Sequence, residues 1–123
     1  MHLDATFEIA GWDEQPFQEW EGGKLTRARV STKYAGGIEG ESVLEYLMSY
    51  GPDGAVSYVA MERVDATAGD RNGGLVLRHV GTFADGAANS ELTVVGGSGD
   101  FAGAGGTGTM VADPGGRVSL DLS

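Results

Sequence analysis

The chain has 123 residues, 22 of them glycine, no cysteine and a formal net charge of -10 at neutral pH. That length suits one domain with a single core or one small closed barrel. The lack of cysteine excludes disulfides and thiol chemistry and disfavours a structural zinc site, and the acidic balance argues against nucleic acid, whose phosphates require Lys and Arg.

No apolar run is long enough to cross a membrane. The start Met1-His2-Leu3-Asp4 has no basic lead and no apolar signal core, so a cytoplasmic location is expected. The glycines follow no Gly-X-Y period and only three prolines accompany them, which excludes collagen. A hydrophobic share of 41% is too high for disorder. Many turns between many strands is the simplest use for this much glycine.

Turn signals arrive at nearly regular intervals: Glu21-Gly22-Gly23, Gly36-Gly37, Gly51-Pro52-Asp53-Gly54, Arg71-Asn72-Gly73-Gly74, Asp85-Gly86, Gly96-Gly97-Ser98-Gly99 and Asp113-Pro114-Gly115-Gly116. Asn-Gly and Asp-Gly favour hairpins because a type I′ turn needs positive φ at both central residues. The segments between them predict strands at about 5–13, 24–34, 38–50, 55–65, 74–83, 87–95, 105–112 and 117–122. Asp13–Trp20 has room for one short helical turn, limited by Pro16. Eight short antiparallel strands predict an all-β fold, an eight-stranded antiparallel β-barrel with up-and-down order. A jelly roll fits the same count.

Alternation sorts the side chains by face. Ala28, Val30, Thr32 and Tyr34 form one set; Ser42, Leu44, Tyr46 and Met48 a second; Val56, Tyr58, Ala60, Glu62 and Val64 a third; Leu75, Leu77, His79, Gly81 and Phe83 a fourth. These are the more apolar and aromatic sets, so they are assigned to the interior. The opposite faces mix Arg27, Arg29, Glu45, Arg63 and Arg78 with Val43, Leu47, Val59 and Met61. Such a half-apolar outer wall is compatible with self-association, and a homodimer is expected. If the faces were reversed, the charged set would line the lumen.

The densest glycine run, Val95–Gly106, carries a single aromatic, Phe101. Two glycines, a Ser, a Gly, any residue, a Phe and a small-residue tail form a pattern that resembles the allene oxide cyclase and dirigent barrels. Phe101 is expected to plug one end of the barrel. Gly97–Ala102 also fits the loose G-x-G-x-x-[GA] pattern, but that motif needs a helix N-terminus after the glycines. Gly103, Gly105, Gly106 and Gly108 make a poor helix. No Gly-Lys-Ser/Thr is present, so a P-loop is excluded.

Further residues extend the resemblance along most of the chain. Thr6-Phe7-Glu8, Trp12-Asp13-Glu14, Lys24–Ala28, Ile38–Ser42, Glu45–Met48, Met61–Val64, Leu77–Phe83 and the Gly96–Gly103 run resemble the bacterial DUF3224 family. The resemblance implies the allene oxide cyclase type of barrel with a lumen. It transfers no catalytic residues.

Glu62 and His79 share the interior face of neighbouring strands. Pairing through an Asn72-Gly73 hairpin sets Glu62 roughly across from His79 or Phe83. A buried carboxylate must be hydrogen-bonded or protonated, so a Glu–His pair in an apolar lumen is a candidate general acid/base. The alternative is a polar cluster that fixes barrel register. Ser42, Tyr46, Met48, Tyr58, Leu77, Phe83 and Phe101 are the candidate substrate-binding residues. His2 and His79 alone do not make a metal site, and no cofactor is expected. Trp12 and Trp20 are read as core or rim packing, with Trp20 in a loop. The expected function is a cofactor-free isomerase or cyclase acting on a small apolar metabolite; the alternative is a non-catalytic ligand-binding or self-associating barrel.

Overall fold

Period-two patterning between turn residues favours strands that pair with their sequence neighbours. The computed structural model describes residues 1–113 and 115–123. It contains β1 (His2–Trp20), β2 (Gly23–Gly36), β3 (Glu39–Tyr50), β4 (Val56–Ala68), β5 (Arg71–Ala84), β6 (Ala87–Gly99), β7 (Gly106–Ala112) and β8 (Gly116–Leu122). All pairings are antiparallel, and β8 returns to β1, so the eight strands form one closed barrel in up-and-down order. Closure removes most of the unpaired edges that an open sheet would expose. No helix occurs among the described residues, so none is long and apolar enough to cross a membrane. Pro114, within the expected Asp113–Gly116 turn, lies outside the described residues.

Two local expectations are corrected. Asp13–Trp20 is strand, not a helical turn, and Trp20 is the last residue of β1 rather than part of a loop. β8 pairs only with His2–Thr6, so the rest of β1 has a free edge beyond its partner β2. Pro16 sits on that segment beside an irregularity between Pro16 and Gln18. Free edges and bulges are where a missing N–H is tolerated.

The β4–β5 hairpin turns at Gly69-Asp70, not at Asn72-Gly73. Asn72 is instead held by the β6–β7 connection: its N–H donates to Asp100 Oδ2 at 2.8 Å and its carbonyl accepts from Asp100 N–H at 2.9 Å. The register moves accordingly. Glu62 pairs directly with Leu77, His79 with Ala60, and Phe83 with Val56.

The interior faces are as alternation sorts them: Ala28, Val30, Ser42, Leu44, Val64, Leu75 and Leu77 are all buried. They fill the barrel unevenly. At the end that holds the β2–β3, β4–β5 and β6–β7 connections, Ile38, Val64, Leu75, Leu77, Leu92 and Leu120 pack into one cluster. Phe101, 2% exposed, closes this end from the β6–β7 connection. That closure depends on glycine. A Cβ on Gly97 would lie 2.1 Å from the Phe101 carbonyl oxygen, and Gly99 adopts φ 62°, a left-handed conformation that favours glycine. At the other end a smaller cluster built on Ala28, Val30, Leu44, Met48, Val56 and Tyr58 leaves space.

Candidate functional site

The open end of the barrel holds a cavity of about 340 Å³. β1 contributes Phe7, Ile9 and Trp12; β3 contributes Leu44, Tyr46, Met48 and Tyr50; Val56 and Tyr58 come from β4, Phe83 from β5, Ser90 from β6 and Met110 from β7. The wall is therefore almost wholly apolar and aromatic. Ile9, Trp12 and Phe83 are each about half exposed and form the mouth. Inside, Tyr46 stands edge-on to Tyr58 with centroids 5.4 Å apart, and Trp12 lies 6.0 Å from Tyr46. Aromatic pairs at these separations are favourable contacts beyond their buried area. Gly81 makes the room for Tyr58, because a Cβ there would come within 2.7 Å of its hydroxyl. The Tyr58 hydroxyl in turn shares a 2.5 Å hydrogen bond with Ser90 Oγ.

Between cavity and packed end lies a layer of polar side chains with Glu62 at its centre. Tyr34 Oη donates to Glu62 Oε2 at 2.5 Å, Ser42 Oγ donates to the same oxygen at 2.6 Å, and His79 Nε2 lies 2.7 Å from Oε1. The Glu62 and His79 side chains have no exposed surface. The pair is diagonal across the β4–β5 ladder, since His79 sits two residues beyond Leu77, the direct partner of Glu62. Diagonal neighbours on one face remain within reach of long side chains. Three partners satisfy the carboxyl oxygens, which a buried acidic group requires. His79 Nδ1, by contrast, is buried without a hydrogen-bond partner. The Tyr46 ring lies edge-on to His79 at 6.2 Å and forms part of the cavity wall, so it separates the polar layer from the open space.

The phenols are all held neutral over a wide pH range. Burial, and next the Glu62 charge, keep Tyr34 well above the usual tyrosine value. Burial also raises Tyr46, with Tyr58 and Glu62 adding to it. Tyr58 is raised by burial against an opposing hydrogen bond with Ser90. Tyr50 is pushed up to about 12, by burial first and then by Glu14.

Glu14 is a second acidic group, behind the wall residues Trp12 and Tyr50. It accepts hydrogen bonds from Thr26, Tyr50 and Trp12. Burial acts on it upward, but these donors and the Lys24 charge outweigh it and hold its carboxyl below the ordinary glutamate value. Lys24 Nζ itself lies 4.7 Å over the Tyr50 ring.

The structure thus divides the residues singled out by the sequence. Tyr46, Met48, Tyr58 and Phe83 line the cavity, Phe83 at its rim and 43% exposed. Glu62, His79 and Ser42 form the buried polar layer. Leu77 and Phe101 belong to the packed cluster and are not on the cavity wall. Trp12, Glu14, Tyr50 and Tyr34 are additions. For Trp12 and Glu14 the signal is weak because the irregularity between Ile9 and Gly11 changes which residues of β1 face inward; Tyr34 and Tyr50, on β2 and β3, follow the alternation of their strands. Among the described residues no three His, Asp or Glu side chains cluster as a metal set.

Residues 3–123 match the sequence model of the family described as a protein of unknown function, DUF3224. The chain belongs to the DUF3224 family. A crystal structure of a DUF3224 protein with unknown function from Shewanella oneidensis MR-1 is similar, with a TM-score of 0.80. The likeness covers 100% of this chain and 96% of that one at 24% sequence identity, which concerns the fold. No curated protein matches this DUF3224 chain.

Proposed function

We propose that this DUF3224 protein binds one small, largely apolar molecule in the open half of an allene-oxide-cyclase-type barrel. The observation that carries the reading is the contrast inside one lumen: a filled end, and a cavity of about 340 Å³ with an aromatic mouth. Eight-stranded barrels are just wide enough either to fill themselves or to hold one small ligand, and this chain does each in a different half. Pockets of this volume and apolar lining are the usual form of small-molecule sites. Ser90 and the Tyr50 hydroxyl, both on the cavity wall, give the ligand a few fixed polar partners.

The test is direct. Purified protein is incubated with an extract of the source cells, recovered and extracted, and bound compounds are read by mass spectrometry. Retention of one apolar compound by the wild type, and its loss in an Ala88→Trp variant that fills the cavity, supports the reading. Equal retention by both variants, or none by either, overturns it.

One observation favours a second reading, a cofactor-free isomerase or cyclase. His79 bonds the Glu62 carboxyl through Nε2 and leaves Nδ1 unpartnered, and the Tyr46 ring lies between His79 and the cavity. Rotation of Tyr46 would let the pair take a proton from one carbon of the ligand and return it to another, with no change in mass. A confined lumen also holds a flexible chain near its reactive conformation. Under this reading the same extract shows one compound replaced by another of equal mass. Glu62→Gln abolishes that conversion while the fold persists; unchanged conversion removes Glu62 from the mechanism.

A further inference from the structure

The outer wall of β3, β4 and β5 carries a pattern the cavity does not use. Across the strands, Arg27 pairs with Leu47, Leu47 with Val59, Val59 with Val80, and Val80 with Glu91. Leu47, Val59 and Val80 are 47%, 48% and 52% exposed, an apolar row between a cation and an anion. In the next row, Glu45 pairs with Met61 and Met61 with Arg78, again with β4 apolar at the centre and 47% exposed. A third row places Val43 and Val76 on either side of Arg63. Apolar residues match apolar residues across β4, and charges match opposite charges.

That pattern is self-complementary. A two-fold axis lying in the contact plane along β4 sets Val59 on Val59 and Met61 on Met61. It sets Leu47 on the partner's Val80, and Glu45 on the partner's Arg78. Arg27 and Glu91 meet in the same sense at the rim, where the curvature of the barrel opens the contact. Such mutual matching is what an isologous interface requires. Arg63, on the axis, is drawn aside: its guanidinium lies over Gly74 and its Nη2 is 3.6 Å from Asp65. Among the described residues, Arg27, Arg78 and Glu91 have no ion-pair partner within the chain, and Glu45 has only a long contact to Arg29 at 3.7 Å.

We infer that this wall is a dimer interface and that its occupant is a second copy of the same chain, seated about a two-fold axis along β4. The charge inversion across β4 favours a second copy over an unrelated partner, because a copy supplies the reversed order in both charged rows, Arg27 to Glu91 and Glu45 to Arg78.

Sedimentation equilibrium of the full chain tests this. The wild type is expected at twice the 12.7 kDa chain mass. Val59→Glu places two carboxylates on the axis and is expected to yield a folded monomer, checked by circular dichroism. Glu45→Arg and Arg78→Glu each create two like-charge contacts per dimer, and each alone is expected to weaken association by about tenfold or more. Mixing these two variants restores both contacts, so the mixture is expected to form a heterodimer close to wild-type strength. A monomeric wild type overturns the inference. So does a dimer that survives Val59→Glu, which would assign association to another face such as the exposed Phe17 and Trp20 of the β1–β2 hairpin. A mixture no tighter than its separate components overturns the two-fold arrangement.

Discussion

The two ends of this barrel are made from the same strands and the same alternation, yet one is solid and the other hollow. The solid end is filled by Leu75, Leu77, Leu92, Leu120 and Phe101, all at most 2% exposed. The hollow end is ringed by larger side chains, Trp12, Tyr46, Tyr50, Tyr58 and Phe83, that stand around a space instead of entering it. Between them the hydrogen-bonded Glu62 layer forms a floor. Packing is thereby concentrated in one half of the lumen and open space in the other, where the proposed ligand would sit, and the halves should answer differently to the same substitution.

The largest effect is expected at the floor. Glu62→Ala strips the partner from Tyr34, Ser42 and His79 and leaves three buried polar groups; breaking such a network costs about 3–5 kcal/mol. Urea unfolding measures it, and a loss below about 1 kcal/mol would show that the layer is not structural. Next, Leu75→Ala in the solid half is expected to cost about 3 kcal/mol, and Met48→Ala beside the cavity about 2 kcal/mol, because Met48 already lacks neighbours on one side. Equal losses would remove the distinction between the halves. Added bulk should show the reverse asymmetry: Ala66→Leu overpacks the solid half at about 1–3 kcal/mol, whereas Ala88→Leu points into open space, costs under about 1 kcal/mol and lowers ligand affinity.

The smallest signal is spectroscopic. The chain has four tyrosines, and all four are raised above the ordinary value, by burial before any other cause. Unfolded tyrosines ionise near about 10. The stability these phenols contribute is therefore fully present below that pH and is lost as the pH rises through the folded values, with Tyr50 at about 12. An absorbance titration of the folded protein should show little phenolate at pH 10, where the urea-unfolded chain is about half ionised. A folded protein with one tyrosine titrating near 10 would place that phenol in solvent.

Much of this arrangement is legible in the residues themselves. Gly and Asp-Gly clusters mark most strand ends, and the expected strands other than β1 shift by at most four residues at either end. Parity alone puts Glu62 and His79 on the inner face, and that survives a wrong register because moving a hairpin by whole pairs changes the partner but not the face. The Asn72-Gly73 signal misleads because those residues serve another purpose. A Cβ on Gly73 would lie 2.1 Å from the Ser98 carbonyl oxygen and 3.1 Å from the Phe101 ring, so this glycine admits the β6–β7 connection instead of making a turn. The division into solid and hollow halves is not legible. Both halves read as apolar alternation, and only three-dimensional spacing shows that Leu77 fills while Tyr46 surrounds. β1 is obscured for a different reason: its two irregularities break the alternation from which Trp12 and Glu14 would have been placed.

The methionines offer the most direct test of the central claim, that the open half takes one small apolar molecule. Met48 and Met110 line the cavity, Met61 lies on the outer wall and Met1 is exposed at the N-terminus. Methyl NMR of methionine-labelled protein, titrated with the neutral apolar probe N-phenyl-1-naphthylamine, reports on all four sites at once. Saturable shifts at Met48 and Met110, with Met1 and Met61 unmoved, are the predicted result. Shifts at Met61 with Met48 and Met110 unmoved would contradict the account, as would no saturable shift at any of the four.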